Sequence, residues 1–246
     1  MRRSIGNLLL GGATALVLAG CGYYHYAGPL RPQVQQQEAM AVADDGSVTF
    51  ARDRLELRLK PMQDEELNRL FAAHSGAGMQ STNPYTFGDA KFWEEPRERA
   101  RFTVFRLSVK NYAYPKVKID PTRIALKADN RREYWSLSLQ QLDTYYRAYA
   151  LGYRGNEYSR YQERMDLLRR TMFKSDEIFS GQEMEGFVVF PALHPDVRQV
   201  RVIIRDVVLR FDFRNEPVET IALEYGFSRD TGKKYQDGRL VVTQDQ

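Results

Sequence analysis

Residues 200–213 read VRVIIRDVVLRFDF. Val200, Val202 and Ile204 keep a two-residue period, and Val207, Leu209, Phe211 and Phe213 take it up again. Successive side chains of a strand point to opposite faces, so this period gives one face to a core and the other to water. The same signature recurs outward in both directions, at Ile221, Leu223, Tyr225 and Phe227, at Phe105, Leu107 and Val109, and at Leu55, Leu57 and Leu59. Turn residues punctuate these runs at Asn111–Pro115, Asp120 with Pro121, Ser180–Gln182, His194–Asp196 and Asn215–Pro217. Short strands at close spacing with few helices between them predict a mainly β protein, an antiparallel β-sandwich rather than a parallel sheet.

Two segments follow a helical period instead. Residues 61–73 (PMQDEELNRLFAA) read as a short extra helix with Leu67, Leu70 and Phe71 on one face. From Leu139 to Phe173, Leu142, Tyr145, Tyr146, Tyr149 and Tyr153 form one stripe, and Tyr158, Tyr161, Met165, Leu168 and Met172 form a second after Gly152 and Gly155. The reading is a helical hairpin inserted at about 139–173.

At the other end of the chain Arg2 and Arg3 precede the apolar run LLLGGATALVLAG, residues 8–20, which stops at Cys21. A positive start, an apolar stretch and small residues before a cut are the three parts of an export signal. The run falls short of the ~20 residues that span a bilayer. Leu18, Ala19, Gly20 and Cys21 resemble the lipobox of bacterial lipoproteins. The resemblance covers about the first 21 residues and implies cleavage before Cys21, a thioether-linked diacylglyceryl group on its sulfur, and an amino terminus acylated by a fatty acid such as palmitate. Cys21 is the only cysteine, so no disulfide forms within the chain. Gly22 in place of Asp resembles the signal that sorts enteric lipoproteins to the outer membrane.

Removing residues 1–20 leaves 226 of 246, enough for one large domain, and takes the formal charge from +4 to +2 as Arg2 and Arg3 depart. That balance gives no case for nucleic acid. Residues 21–46, with two prolines and a glutamine run, read as the lipidated cysteine and a tether. The Tyr23, Tyr24, His25 and Tyr26 cluster is open between lipid headgroups, a strand of the domain, and disorder. The folded domain is then expected over 47–246.

The strings FTVFRLSVKNY, KIDPTRIAL and FSGQEMEGFVVFP, in that order, resemble the immunoglobulin-like (telokin-like) domains of secreted bacterial lipoproteins over about residues 100–213. The resemblance implies an immunoglobulin-like sandwich, with 139–173 as a departure from the simple pattern, and it implies no activity.

Chemistry is sparse. His25, His74 and His194 are isolated in sequence and lack zinc-ligand spacing, so no metal and no cofactor is expected. His194 and Asp196 in FPALHPD have the look of a base beside its orienting acid, but no G-x-S-x-G nucleophile accompanies them. Gly76 and Gly78 lack the context of a phosphate loop. The densest functional signal is the inserted hairpin, where tyrosines alternate with arginines; Tyr146, Tyr153, Tyr158, Arg147 and Arg154 are the candidate partner-binding residues. An aromatic stripe at helical spacing is also what a packed helix shows. The expectation is a non-enzymatic, lipid-anchored protein of the outer membrane facing the periplasm, binding an envelope protein or glycan. The alternative is an envelope hydrolase with its site in the 74–95 loop and around His194.

Overall fold

The computed structural model describes residues 22–91, 100–152 and 157–243, and in it the stretch of alternation forms a single strand. Strand β12 (Gln199–Phe211) pairs antiparallel with β13 (Pro217–Ser228), with Val202 opposite Tyr225 and Ile204 opposite Leu223. Between Ile204 and Val207 the register shifts, and Asp206 there takes a φ of 52°. One extra residue resets the parity of a strand. Even-numbered Val200, Val202 and Ile204 and odd-numbered Val207 and Leu209 therefore reach the same core. Phe213 does not, because it lies in the turn after β12 and is 91% exposed.

Among the described residues the strands build three sheets with every strand pairing antiparallel. The first has the order β11 (Gln182–Pro191), β6 (Phe102–Asn111), β5 (Leu55–Met62), β4 (Val48–Arg52), β3 (Met40–Val42). In the second, β10 (Glu177–Phe179) is followed by β7 (Lys116–Lys118), β12, β13 and β2 (Arg31–Pro32), with β8 (Ile124–Ala128) on β12 and β9 (Glu133–Trp135) on β8. The third is small: β1 (Tyr23–Ala27), β14 (Thr231–Tyr235), β15 (Leu240–Val242).

The first two sheets face each other as a sandwich. Leu55, Leu57, Leu59, Phe105, Leu107 and Val109 from one meet Ile124, Leu126, Val202, Ile204, Tyr225 and Phe227 from the other in a single buried cluster. Each large apolar side chain closed off there contributes about 1.5–3 kcal/mol. Tyr225 is fully buried yet satisfied, since its hydroxyl crosses the gap and donates to the Leu57 carbonyl at 3.0 Å. Asn111 ends β6 and clips the following turn, donating to the carbonyls of Tyr114 and Ile178, both at 2.9 Å.

A helical layer covers one end of the first sheet's outer face. It consists of α1 (Asp64–Leu70), the short α2 (Ala72–Ser75), and the hairpin of α3 (Leu139–Gly152) and α4 (Glu157–Thr171). Ser138 starts α3 with a reciprocal cap: its hydroxyl accepts from Gln141 N at 3.2 Å, and Gln141 Oε1 accepts from Ser138 N at 2.8 Å. Leu67, Leu142, Tyr146, Met165 and Leu168 pack on Met62, Phe102, Val104, Phe187 and Val189 of the sheet. Leu70 departs from the expected stripe and is exposed. After α4 the chain rounds the edge strand β11, and Phe173 joins the sandwich core. Gly186 permits that turn, because a Cβ there would stand 2.4 Å from Phe173 N.

The expected tether is corrected by the structure. Residues 22–46 contribute β1, β2 and β3, each paired with a strand of the domain. The glutamine run lies along the open edge of β13: Gln36 Nε2 donates to Gly226 O at 2.8 Å, Gly226 N donates to Gln36 Oε1 at 2.9 Å, and Glu224 N donates to Gln37 Oε1 at 2.8 Å. A primary amide carries a donor and an acceptor, as a peptide group does, so these side chains extend the ladder. Composition alone does not reveal that role.

Candidate functional site

Of the proposed contact residues, Tyr146 is part of the core. It is fully buried at the position where α3 crosses the outer face of the sheet, and its hydroxyl donates to Pro84 O at 2.5 Å and accepts from Arg101 Nη1 at 3.0 Å. Burial pushes its phenol up to about 12. A side chain so enclosed offers no area to a partner, which removes Tyr146 from the contact set. Tyr153 and Arg154 lie outside the described residues.

Around Tyr146 the hairpin encloses a polar cluster. Arg164, on α4, is completely buried; its Nη2 donates to Ser81 O at 2.6 Å and its Nη1 to Glu157 at 3.3 Å. Both Arg101 and Arg164 stand 5.5 Å from the centre of the Tyr146 ring, and Arg101 lies 4.3 Å over Phe87. Desolvating two guanidiniums is expensive unless rings and acceptors compensate, which explains much of the tyrosine and arginine density here without any partner. Sequence reasoning missed Arg164. Its signal was the spacing of Glu157, Arg160 and Arg164, which puts an acid and two bases on one face of α4 beside Met165 and Leu168.

The outward side of the hairpin is different. Tyr158 is 64% exposed and stacks on Tyr161 with ring centres 5.8 Å apart; Leu151 and Tyr145 are also exposed. Arg147 lies on this side, donating to Asp143 at 3.0 Å, and Tyr161 also donates to that carboxylate. The Tyr161 hydrogen bond holds the Asp143 carboxyl below its usual range. These pairs join α3 to α4 while leaving the Tyr158 ring free of the core.

A second candidate is an open cleft of about 640 Å³ between the segment after β1, the start of α1 and the start of β6. Phe87, Gly88, Ala90, Lys91 and Leu193 also line it, so the structure brings part of the 74–95 loop to the neighbourhood of His194; residues 92–95 lie outside the described ones. Asp64, in the wall, has its carboxyl raised to about 6 by burial and by Glu65, with Arg101 acting in the opposite direction. Arg229, also in the wall, supports the neighbouring turn, donating to Val197 O at 2.8 Å and His194 O at 2.7 Å. The imidazole of His194 pairs with Asp196 at 2.5 Å in an exposed position. His74 is tied to Thr82 at 2.9 Å, and Ser75 and Ser81 are bonded within the same loop. Among the described residues no group of three His, Cys, Asp or Glu side chains is placed to hold a metal ion.

No family model and no curated protein matches the chain. Among solved structures it is similar to MPT63, a secreted protein from Mycobacterium tuberculosis, at 10% identity over 65% of this chain and 87% of that one, with a TM-score of 0.29. A likeness at that level sets neither fold nor activity for this chain. The mainly β, antiparallel sandwich rests on the pairings and the buried cluster described above.

Proposed function

We propose that this protein is an outer-membrane lipoprotein, anchored through lipid on Cys21 and facing the periplasm, that acts as a non-catalytic binding or assembly protein. The anchor reading is supported by the export-signal pattern of residues 1–20 and by the LAGC sequence that ends it. Changing Cys21→Ser should abolish metabolic labelling by a fatty-acid analogue, and label retained by the variant would refute the anchor.

One observation carries the binding role: the hairpin keeps Tyr158, Tyr145, Leu151 and Arg147 outside while its structural needs are met by Tyr146 and Arg164 inside. Exposed aromatic rings beside arginine supply large contact area with directional polar tips, and the occupant suited to them is an envelope protein or a glycan. A photo-crosslinking residue in place of Tyr158 should give a discrete adduct in intact cells. The same residue in place of Arg201, whose side chain is 71% exposed on the opposite sheet, should give none. Equal capture from both positions would reject the hairpin as the contact surface.

An envelope hydrolase working in the cleft is the second reading, favoured by the Asp64 carboxyl that titrates near 6. Against it, His194 does not line the cleft, and the Thr103 hydroxyl in the cleft wall accepts from Leu193 N at 3.2 Å.

A further inference from the structure

The chain between the proposed lipid anchor and the folded domain is very short. Strand β1 begins at Tyr23, two residues beyond Cys21, and two extended residues span at most about 7 Å. The glycerol carried by Cys21 belongs at the boundary between hydrocarbon and headgroups, and each headgroup layer is about 5–8 Å deep. The small sheet of β1, β14 and β15 therefore meets the bilayer before any other part of the domain.

One face of that sheet has the chemistry of an interface. Cross-strand register puts Tyr23 opposite Tyr235, His25 opposite Lys233, and Lys233 opposite Val241, so these side chains share a face. The Tyr23 ring lies 5.7 Å from His25 and 6.2 Å from Tyr235. Lys233 stands 4.4 Å over Tyr23, and Arg239 stands 4.5 Å over Tyr235. Tyr23 and Val241 are 42% and 47% exposed, an apolar liability on an isolated three-stranded sheet in water. Rings with polar tips, flanked by lysine and arginine, are favoured where one side is apolar and the other carries anionic headgroups. The cations of this face are Lys233 and Arg239 against Asp237, which lies 3.8 Å from Arg239, while Lys234 shares the other face with Tyr24 and Leu240; the face keeps a net positive charge that complements such a surface.

We propose that the Tyr23, His25, Lys233, Tyr235, Arg239 and Val241 face is a docking surface for an anionic lipid leaflet. It would fix the orientation of the domain beside its own anchor rather than let it swing on a tether. The inference rests on the anchor reading for its geometry, but the composition of the face gives it a test of its own.

Phe213 provides the control position. It lies beyond the far end of β13, whose 12 residues separate it from the small sheet by about 40 Å. Full-length lipidated protein with Trp93 and Trp135 replaced by Phe and carrying Tyr235→Trp, or separately Phe213→Trp, should be reconstituted in vesicles of phosphatidylcholine with a third phosphatidylglycerol, both brominated near the headgroup. Quenching is expected at position 235 and not at 213. Equal quenching at both positions, or none at 235 while the fatty-acid label on Cys21 is intact, would overturn the proposal.

A second arm removes the lipid. Unlipidated Cys21→Ser protein should still partition onto the anionic vesicles and not onto pure phosphatidylcholine. Each cation near such a surface contributes about fivefold, so Lys233→Gln with Arg239→Gln should weaken partition about 25-fold at an unchanged melting temperature. Partition indifferent to these changes would reject the face. Loss of label from the wild-type chain, with partition retained, would reject the anchor and leave the face standing.

Discussion

The two ends of one sheet face show how this chain assigns its layers. On the outer face of β5, β6 and β11, one end presents Met62, Val104, Phe187 and Val189, and the helical layer covers it. A few residues along the same strands, Arg106, Lys110, Glu183 and Glu185 reach water, paired across the sheet as Arg106–Glu185 at 2.6 Å and Lys110–Glu183 at 3.9 Å. The strands do not change; the side chains on alternate positions do. Helices pack where apolar area repays the loss of their mobility, and the charged half remains an open sheet.

The covered half should break most readily at Tyr146. Replacing it with Ala removes a buried ring and strands the Arg101 guanidinium, and the expected loss is about 3–5 kcal/mol in urea unfolding. Tyr158→Ala, on the solvent side of the same hairpin, should stay within about 0.5 kcal/mol in that assay. Similar losses at both sites would mean that the hairpin has no distinct inner and outer sides.

Asp64 sits at the rim where the cover ends and the cleft begins. Its carboxyl moves from 3.8 to about 6 on folding, so between those values the folded state holds a proton that the unfolded chain has released. Stability from this group is therefore present below about pH 4 and lost as pH rises through 6, by up to about 3 kcal/mol. Asp64→Asn should flatten that fall and leave the protein more stable than wild type at pH 7. Parallel curves for the two proteins between pH 4 and 7 would show that the rim is wet.

The smallest effect belongs to the open half. A double-mutant cycle on Arg106→Gln and Glu185→Gln should give a coupling below about 1 kcal/mol, shrinking further in 1 M salt. A larger, salt-insensitive coupling would place this half under cover as well, in an assembled state of the protein.

Much of this was legible along the chain. The alternating runs became strands, and the period at 139–173 became the α3–α4 hairpin, because both follow from side-chain direction on a regular backbone. The exceptions share one cause. Phe213 and Leu70 match their local periods yet face water, since a period names a face and does not say whether anything lies opposite it. Residues 22–46 looked like a tether because their ladder is made partly by glutamine side chains reaching β13 from 190 positions away in the chain.

The sequence by itself determined the elements and their order, which are written in neighbouring residues. Only the tertiary structure decided which tyrosines of the hairpin are core, which arginines are enclosed, that a carboxylate at position 64 titrates near 6, and that the first strand begins two residues from the proposed lipid. Burial, desolvation and proximity depend on what distant segments bring to the same place, and nothing in a local run of residues encodes that meeting.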